Sequence, residues 1–424
     1  MEPKKGKENE LGTESVGKLL FRLSMPAIAA QVINVMYNMV DRMYIGHIPG
    51  VGAAALTGVG VTMPVIMAIT AFAYFISMGG APRSSIMMGR NEKEKAEKIL
   101  GNCTTMLVVL ALILTAVFLF CGRSILLLFG ASENTIGYAW DYMKIYALGT
   151  IFVQLALGLN AFITAQGYAK TSMYTVLIGA VCNIILDPVF IFGLNMGLKL
   201  EAGIILPCMA LGTSPFIMAF TESILSVCFN SSLLRYGGDV AVGAMTILSS
   251  VMQFSMLPLQ GLTQGSQPIV SFNYGAGSAD RVKKTFKILF LCCIGYSTLL
   301  WALSMFFPQI FIMIFTSDAA LTEYTRWAIR IYMAVSLMFG AQVACQQTFI
   351  ALGNAKVSVF LALLRKVFLL IPLIFILPRF MENKTMGVFL AEPVADFCAV
   401  CVTVAMFSVS FKKIIARMEG AKKQ

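Results

Sequence analysis

Apolar stretches of about 20 residues recur from one end of the chain to the other, each the length of a bilayer-spanning helix. A soluble core has no need of that pattern. Of 424 residues, 58% are hydrophobic and only 12% charged, so the expected fold class is an all-α polytopic membrane protein. Spans are predicted near 18–45, 52–78, 99–121, 136–165, 172–194, 204–234, 240–272, 285–308, 324–351, 357–378 and 386–410, about eleven in all. Several exceed the minimum length, which permits tilt or kinks. The 27 Met and 31 Phe fill helix–helix and helix–lipid surfaces in this setting.

The N-terminus, MEPKKGKENE, is polar, and the first apolar run lacks a small-residue cleavage pattern, so no removable signal peptide is read. The net charge of +11 does not point to nucleic acid, because Lys and Arg cluster in short loops and tails. The basic loop Arg90–Lys98 and the N-terminal tail are placed in the cytoplasm by the positive-inside rule. The 10 Cys lie mostly inside apolar runs; Cys398-Ala-Val-Cys401 has metal or redox spacing but no second pair, and packing is its plainer role. His47, the one histidine, sits in a Gly/Pro turn, and one His builds no zinc site.

An internal repeat runs through the spans. Gly79-x-x-Pro82-x6-Gly89 recurs as Gly265-x-x-Pro268-x6-Gly275, each copy followed by a basic loop, and Gly167-Tyr-Ala-Lys-Thr-Ser172 recurs as Gly353-Asn-Ala-Lys-Val-Ser358. Pro26, early in the first span, has Pro215 as its counterpart. Two pseudo-symmetric helical lobes are expected, residues 1–202 and 203–424, framing a central cavity as in secondary transporters. After Ser358 two spans follow; after Ser172 only one precedes the span holding Pro215. The repeat therefore predicts that the first lobe lacks its sixth helix, the join being Phe192–Ala202. Either that join crosses the membrane or the second lobe is inverted, with Arg281–Lys284 and the C-terminal tail outside; the sequence leaves both open.

Few polar residues interrupt the spans. Asn183 and Asp187 are four apart and share a helix face, and Pro188 loosens the turn between them by clashing with the carbonyl of Ile184. An acid near a helix centre costs roughly 2.5–3.5 kcal/mol on insertion scales, so it needs a reason. A proton or cation relay is one; a polar clamp between helices is the plainer one. Asp41 lies late in the first span, with Tyr37 and Asn34 on nearby turns and Pro26 offering a kink below; an interfacial salt bridge with Arg42 is its plainer role. Glu222 is an acid well inside a second-lobe span, and Gln253, Gln260, Gln264 and Gln267 spread over the next. Arg365 and Lys366 interrupt a late span, either lining the cavity or pairing with an acid. No Walker-type loop, nucleophile elbow or His-metal motif is present. ATP-driven transport by the chain alone, an ATPase subunit, hydrolase chemistry and a bound metal or organic cofactor are thus not implied.

The combination of Val40-Asp41-Arg42, Tyr44-Ile45-Gly46 and Ala54-Ala55-Leu56 with Asn183-x3-Asp187-Pro188 and Phe190-x-Phe192-Gly193 resembles the multidrug and toxic compound extrusion (MATE) family, over most of the chain and in its bacterial form. The resemblance implies twelve helices in two six-helix lobes in the cytoplasmic membrane, a V-shaped cavity, and export of organic cations driven by inward H+ or Na+. It matches Asp41, Asn183 and Asp187 to the first-lobe coupling site, and Glu222 to an acid of the seventh helix. Where some members carry a tenth-helix acid, this chain shows Gln342, Gln346 and Gln347. Tyr37, Asn34, Glu222 and Gln253 are the candidate cavity residues. Two rivals stay open at this stage: a flippase for a lipid-linked molecule, supported by Arg365 and Lys366, and a non-transporting deletion variant.

Overall fold

The computed structural model describes residues 7–46, 52–128, 136–186, 202–314 and 319–421. All regular structure among them is helical. A short helix α1 (Lys7–Thr13) precedes α2 (Val16–Gly46), α3 (Gly52–Gly89), α4 (Lys93–Leu128), α5 (Ile136–Ala165) and α6 (Ala169–Leu186). The second lobe holds α7 (Ala202–Gly275), α8 (Ala279–Phe306), α9 (Pro308–Ile312), α10 (Ala319–Tyr332), α11 (Phe339–Ala351), α12 (Ala355–Leu363), α13 (Ile371–Phe380) and α14 (Lys384–Ala421). Gly238, at φ 64°, breaks α7 into two arms. Among the described residues eight helices are long and apolar enough to cross a membrane, or nine if the bent pair α10 and α11 forms one span. The join in which a sixth first-lobe helix was sought, and the expected boundary at 202/203, border residues 187–201, outside the described residues.

The repeat read from the glycines holds at the level of single hydrogen bonds. After α3, Arg90 N–H donates to Ile86 O and Glu92 N–H to Met87 O; after the second arm of α7, Ala276 donates to Phe272 and Ser278 to Asn273. The left-handed residue in each turn is Asn91 (φ 62°) and Gly277 (φ 71°), the two residue types that visit that region most readily. The turns at Gly167 and Gly353 likewise share one pattern, Tyr168 to Ile163 O and Asn354 to Phe349 O. These positions correspond at one constant offset.

The two lobes are parallel. Leu11 packs beside Gly167 and its carbonyl is bound by Asn273 and Arg281. Gly89 abuts Phe272, Gly353 lies by Ile86, and Lys283 pairs with Glu419. Both tails and all four glycine turns therefore meet at one end, which the basic loops mark as cytoplasmic. The inverted second lobe is overturned. Two interhelical crossings hold this end together, and each uses glycine for close approach. A Cβ on Gly261 would stand 2.7 Å from Ile28 Cα, and one on Gly265 2.5 Å from Ser24 N, so this small-xxx-small pair seats α2 on α7 around Pro26. The second crossing, between α3 and α7, is reciprocal: a Cβ on Gly89 would stand 2.0 Å from Phe272 O, and one on Gly275 2.1 Å from Ile86 O.

The second lobe has its own packed interior, in which Phe229, Leu248, Tyr332, Ile374 and Phe389 are buried together. Beside it, Arg365 donates to Asp396 and, at 3.2 Å, to Glu392. Arg365 thus pairs with acids. The residues 364–370 around it form a π-helical stretch, and Pro393 lies inside α14 between the two acids. Lys366, 4% exposed, is buried too. Arg365→Ala is expected to lower stability by about 3–5 kcal/mol, the cost of removing one partner of a buried ion pair. Neutralising both acids in the same protein (Glu392→Gln with Asp396→Asn) should recover most of the loss. Thermal unfolding in detergent checks this, and an unchanged midpoint in Arg365→Ala would refute it.

Candidate functional site

A chamber of about 120 Å³ lies between the lobes, above the glycine crossings. It is built from corresponding positions of the two repeats: Met78, Ala81, Pro82 and Ser85 of α3 face Gln264, Gln267, Pro268 and Ser271 of α7. The chamber therefore sits on the pseudo-twofold axis. Ala27, Ala30 and Gln31 of α2, Asn160 and Thr164 of α5, and Ser172 and Val176 of α6 close its first-lobe side. None of the described residues that line it is charged. Thr164 donates to Ser172 Oγ at 2.8 Å, and Thr175 to Asn160 Oδ1 at 3.0 Å. Ser77 Oγ and Gln267 Nε2 are buried without a partner. A buried unpaired polar group costs on the order of 1–3 kcal/mol, so both are groups that a guest or water would satisfy. Drug-sized sites occupy roughly 300–1,000 Å³; in this conformation the chamber is smaller than that.

The glutamines follow one stripe. Gln253, Gln260, Gln264 and Gln267 fall within one face of an α-helix; the last two line the chamber, while Gln253 and Gln260 are exposed further along α7. Gln253 does not line the chamber itself. Pro26 is buried in α2, next to chamber residue Ala27. Gln342 and Gln346 are buried in α11. Asn34, Tyr37 and Asp41 lie on α2, Asn183 on α6 and Glu222 on α7, but their side chains fall outside the described residues, as do Asp187 and Pro188 altogether. Sequence reasoning passed over Gln31, Tyr74, Ser77 and Asn160, which have no distinctive spacing, and Glu392 with Asp396, whose i,i+4 spacing in an apolar run was a readable signal.

Arg365 and Lys366, the support for a basic cavity, do not line the chamber, and Arg365 is neutralised by its two acids.

Parallel, pseudo-symmetric helical lobes around an axial chamber define a two-lobed membrane transporter. A family model described as MatE matches residues 26–189 and 215–376, one match in each lobe. The chain belongs to the MATE family, and is a multi-pass membrane protein with a transporter's architecture rather than an enzyme's. Among curated proteins it is similar to the multidrug export protein MepA of Staphylococcus haemolyticus, 22% identical over 93% of both chains. Among solved structures it resembles the MATE multidrug transporter DinF-BH in complex with R6G, at 32% identity and TM-score 0.83, over 96% of this chain and 98% of that one. A MATE structure in a bent conformation superimposes with TM-score 0.89 at 17% identity, over 98% of this chain and 100% of the other.

Proposed function

We propose that this chain exports lipophilic organic cations from the bacterial cytoplasm in exchange for inward H+ or Na+. The observation that carries the reading is the axial chamber in a MATE chain, lined by hydroxyl and amide side chains from both repeats together with Tyr74 and Met78. Such a lining offers adaptable contacts and a π face for a cation, and relatives of this chain include multidrug export proteins. Asp41, Asn183 and Asp187 are assigned the ion-coupling role in the first lobe. Tyr37, Asn34, Glu222 and Gln253 are assigned to the cleft above the chamber. Entry of the ion from outside would neutralise the acids, change the bend of α2 at Pro26, and release the bound cation.

The test is ethidium transport by the purified chain in proteoliposomes under an imposed proton or sodium gradient. Movement against its concentration under one gradient, abolished when that gradient is collapsed, is the expected result and also names the ion. No ethidium movement under either gradient, with folded protein in the bilayer, would refute the proposal. Within the chamber, Gln267→Ala removes an unpartnered donor. It is expected to change apparent affinity for ethidium by several-fold, on the order of 1 kcal/mol, with the maximal rate nearly kept. An unchanged affinity would place ethidium elsewhere.

A further inference from the structure

We propose that residues 10–14 form a latch that holds the two lobes closed on the cytoplasmic side, with Asn273 and Arg281 as its positioning residues on the second lobe. On the first-lobe side, Arg22 Nη2 lies 2.8 Å from both Glu10 Oε2 and Glu14 Oε2. On the second-lobe side, Leu11 O accepts Asn273 Nδ2 and Arg281 Nη2, each at 2.9 Å. Arg281 Nε also donates to Asn273 Oδ1 at 3.0 Å, which fixes the amide's orientation. The Leu11 side chain, 1% exposed, packs among Leu19, Leu23, Ala169 and Ile269, from both lobes. One residue on, a Cβ at Gly12 would stand 3.2 Å from the Phe272 ring.

The chemistry suits the place. Leu11 O belongs to the last turn of α1, whose carbonyls lack helical partners and favour a cationic donor. The repeat shows that the pair is not a general feature of these turns. The first-lobe positions corresponding to Asn273 and Arg281 are Met87 and Lys95, and Lys95 pairs with Glu92 instead. The two copies thus depart from each other where α1 docks, although the turns between these positions repeat bond for bond.

Opening toward the cytoplasm has to part Ile86 from Gly275 and Gly89 from Phe272. The latch follows directly into α2 and is ion-paired to Arg22, so it moves with the first lobe. Its two bonds from Asn273 and Arg281 to Leu11 O then break, while Asn273 keeps its bonds to Ile269 O and Arg281 within the second lobe. The contact therefore biases the protein toward its cytoplasm-closed form.

The test is hydrogen–deuterium exchange on the purified full chain in nanodiscs, read in peptides covering residues 84–91 and 270–277. Arg281→Ala should speed exchange in both peptides on the order of tenfold, the population change expected from losing one charged hydrogen bond, and Asn273→Ala, which loses a neutral one, by a smaller factor. Arg281→Lys, which keeps one cationic donor, should fall between. Deleting residues 1–12 should give the same shift, and adding Arg281→Ala to the deletion should add nothing. Faster exchange confined to residues 7–14, or additive effects of deletion and Arg281→Ala, would overturn the proposal. A rise spread evenly to residues 136–143 marks a misfolded variant, and the other substitution then decides. The readout needs no substrate, so its failure is separate from any failure of the export reading.

Discussion

Gly275→Val is expected to stop transport, lowering the rate by on the order of tenfold or more, the range in which a conformational bias of a few kcal/mol acts. The reason is steric and local. A Cβ at position 275 would lie 2.1 Å from Ile86 O, and at position 89 it would lie 2.0 Å from Phe272 O. Both obstacles are backbone, which cannot rotate away as a flexible side chain can. The lobes would have to separate by roughly 1 Å to restore normal contact. The two contacts are reciprocal sides of one α3–α7 approach, so a side chain at either position forces the same separation. Gly89→Val should therefore act alike, and Gly275→Ala should already show most of the effect. The proteins should fold, because the strain falls between lobes and not within either packed interior. Faster exchange at residues 84–91 with monodisperse protein is the expected accompaniment. Full transport by Gly275→Ala would show that the crossing is not a gate.

The sequence made the repeat legible because glycine and proline carry backbone demands that survive divergence elsewhere. Gly79, Pro82 and Gly89 announce a close helix crossing and its end, and so do their second copies. The partner of each crossing was not legible. Nothing in the chain order says that Gly89 meets residue 272 rather than a helix of its own lobe. Lobe orientation escaped for a related reason: the basic loops favoured parallel lobes, but the short join from Phe192 to Ala202 argued against them. Contacts far apart in sequence decided it, among them Leu11 with Arg281 and Lys283 with Glu419. The chamber was half legible. Gln264 and Gln267 stood out as amides in an apolar run, whereas Ser77 and Asn160 gain meaning only from what surrounds them. Arg365 was visible as an anomaly, but its neutralising acids lie 27 and 31 residues on, and a helix face in isolation does not name its neighbour.

Asp187→Asn is expected to cost on the order of 10–100-fold in gradient-driven export, the span of typical coupling free energies, while ethidium binding without a gradient is retained. Asp41 and Asn183 stand on two helices that pack on each other, α2 and α6. Helix α6 leaves the cytoplasmic end at Ala169 and lines the chamber at Ser172 and Val176. Asn183 follows Val176 by two turns, about 10 Å further outward at 1.5 Å per residue. On α2 the chamber residues are Ala27, Ala30 and Gln31, and Asp41 lies about 15 Å beyond Gln31. Both coupling candidates thus stand on the outer side of the chamber, on the helices that wall it. An ion arriving from outside would reach them before it reached the chamber, and a cation in the cleft would lie between them and the cytoplasm. A cation leaving outward would pass the same residues, so the ion's arrival there can be linked to its release. Asp41→Asn should lose coupling to a similar degree, and Asp187→Glu, which keeps the titratable group, should retain part of it. Normal expression with full gradient-driven export in Asp187→Asn would remove this residue from the coupling site and shift the assignment to Asp41 or Glu222.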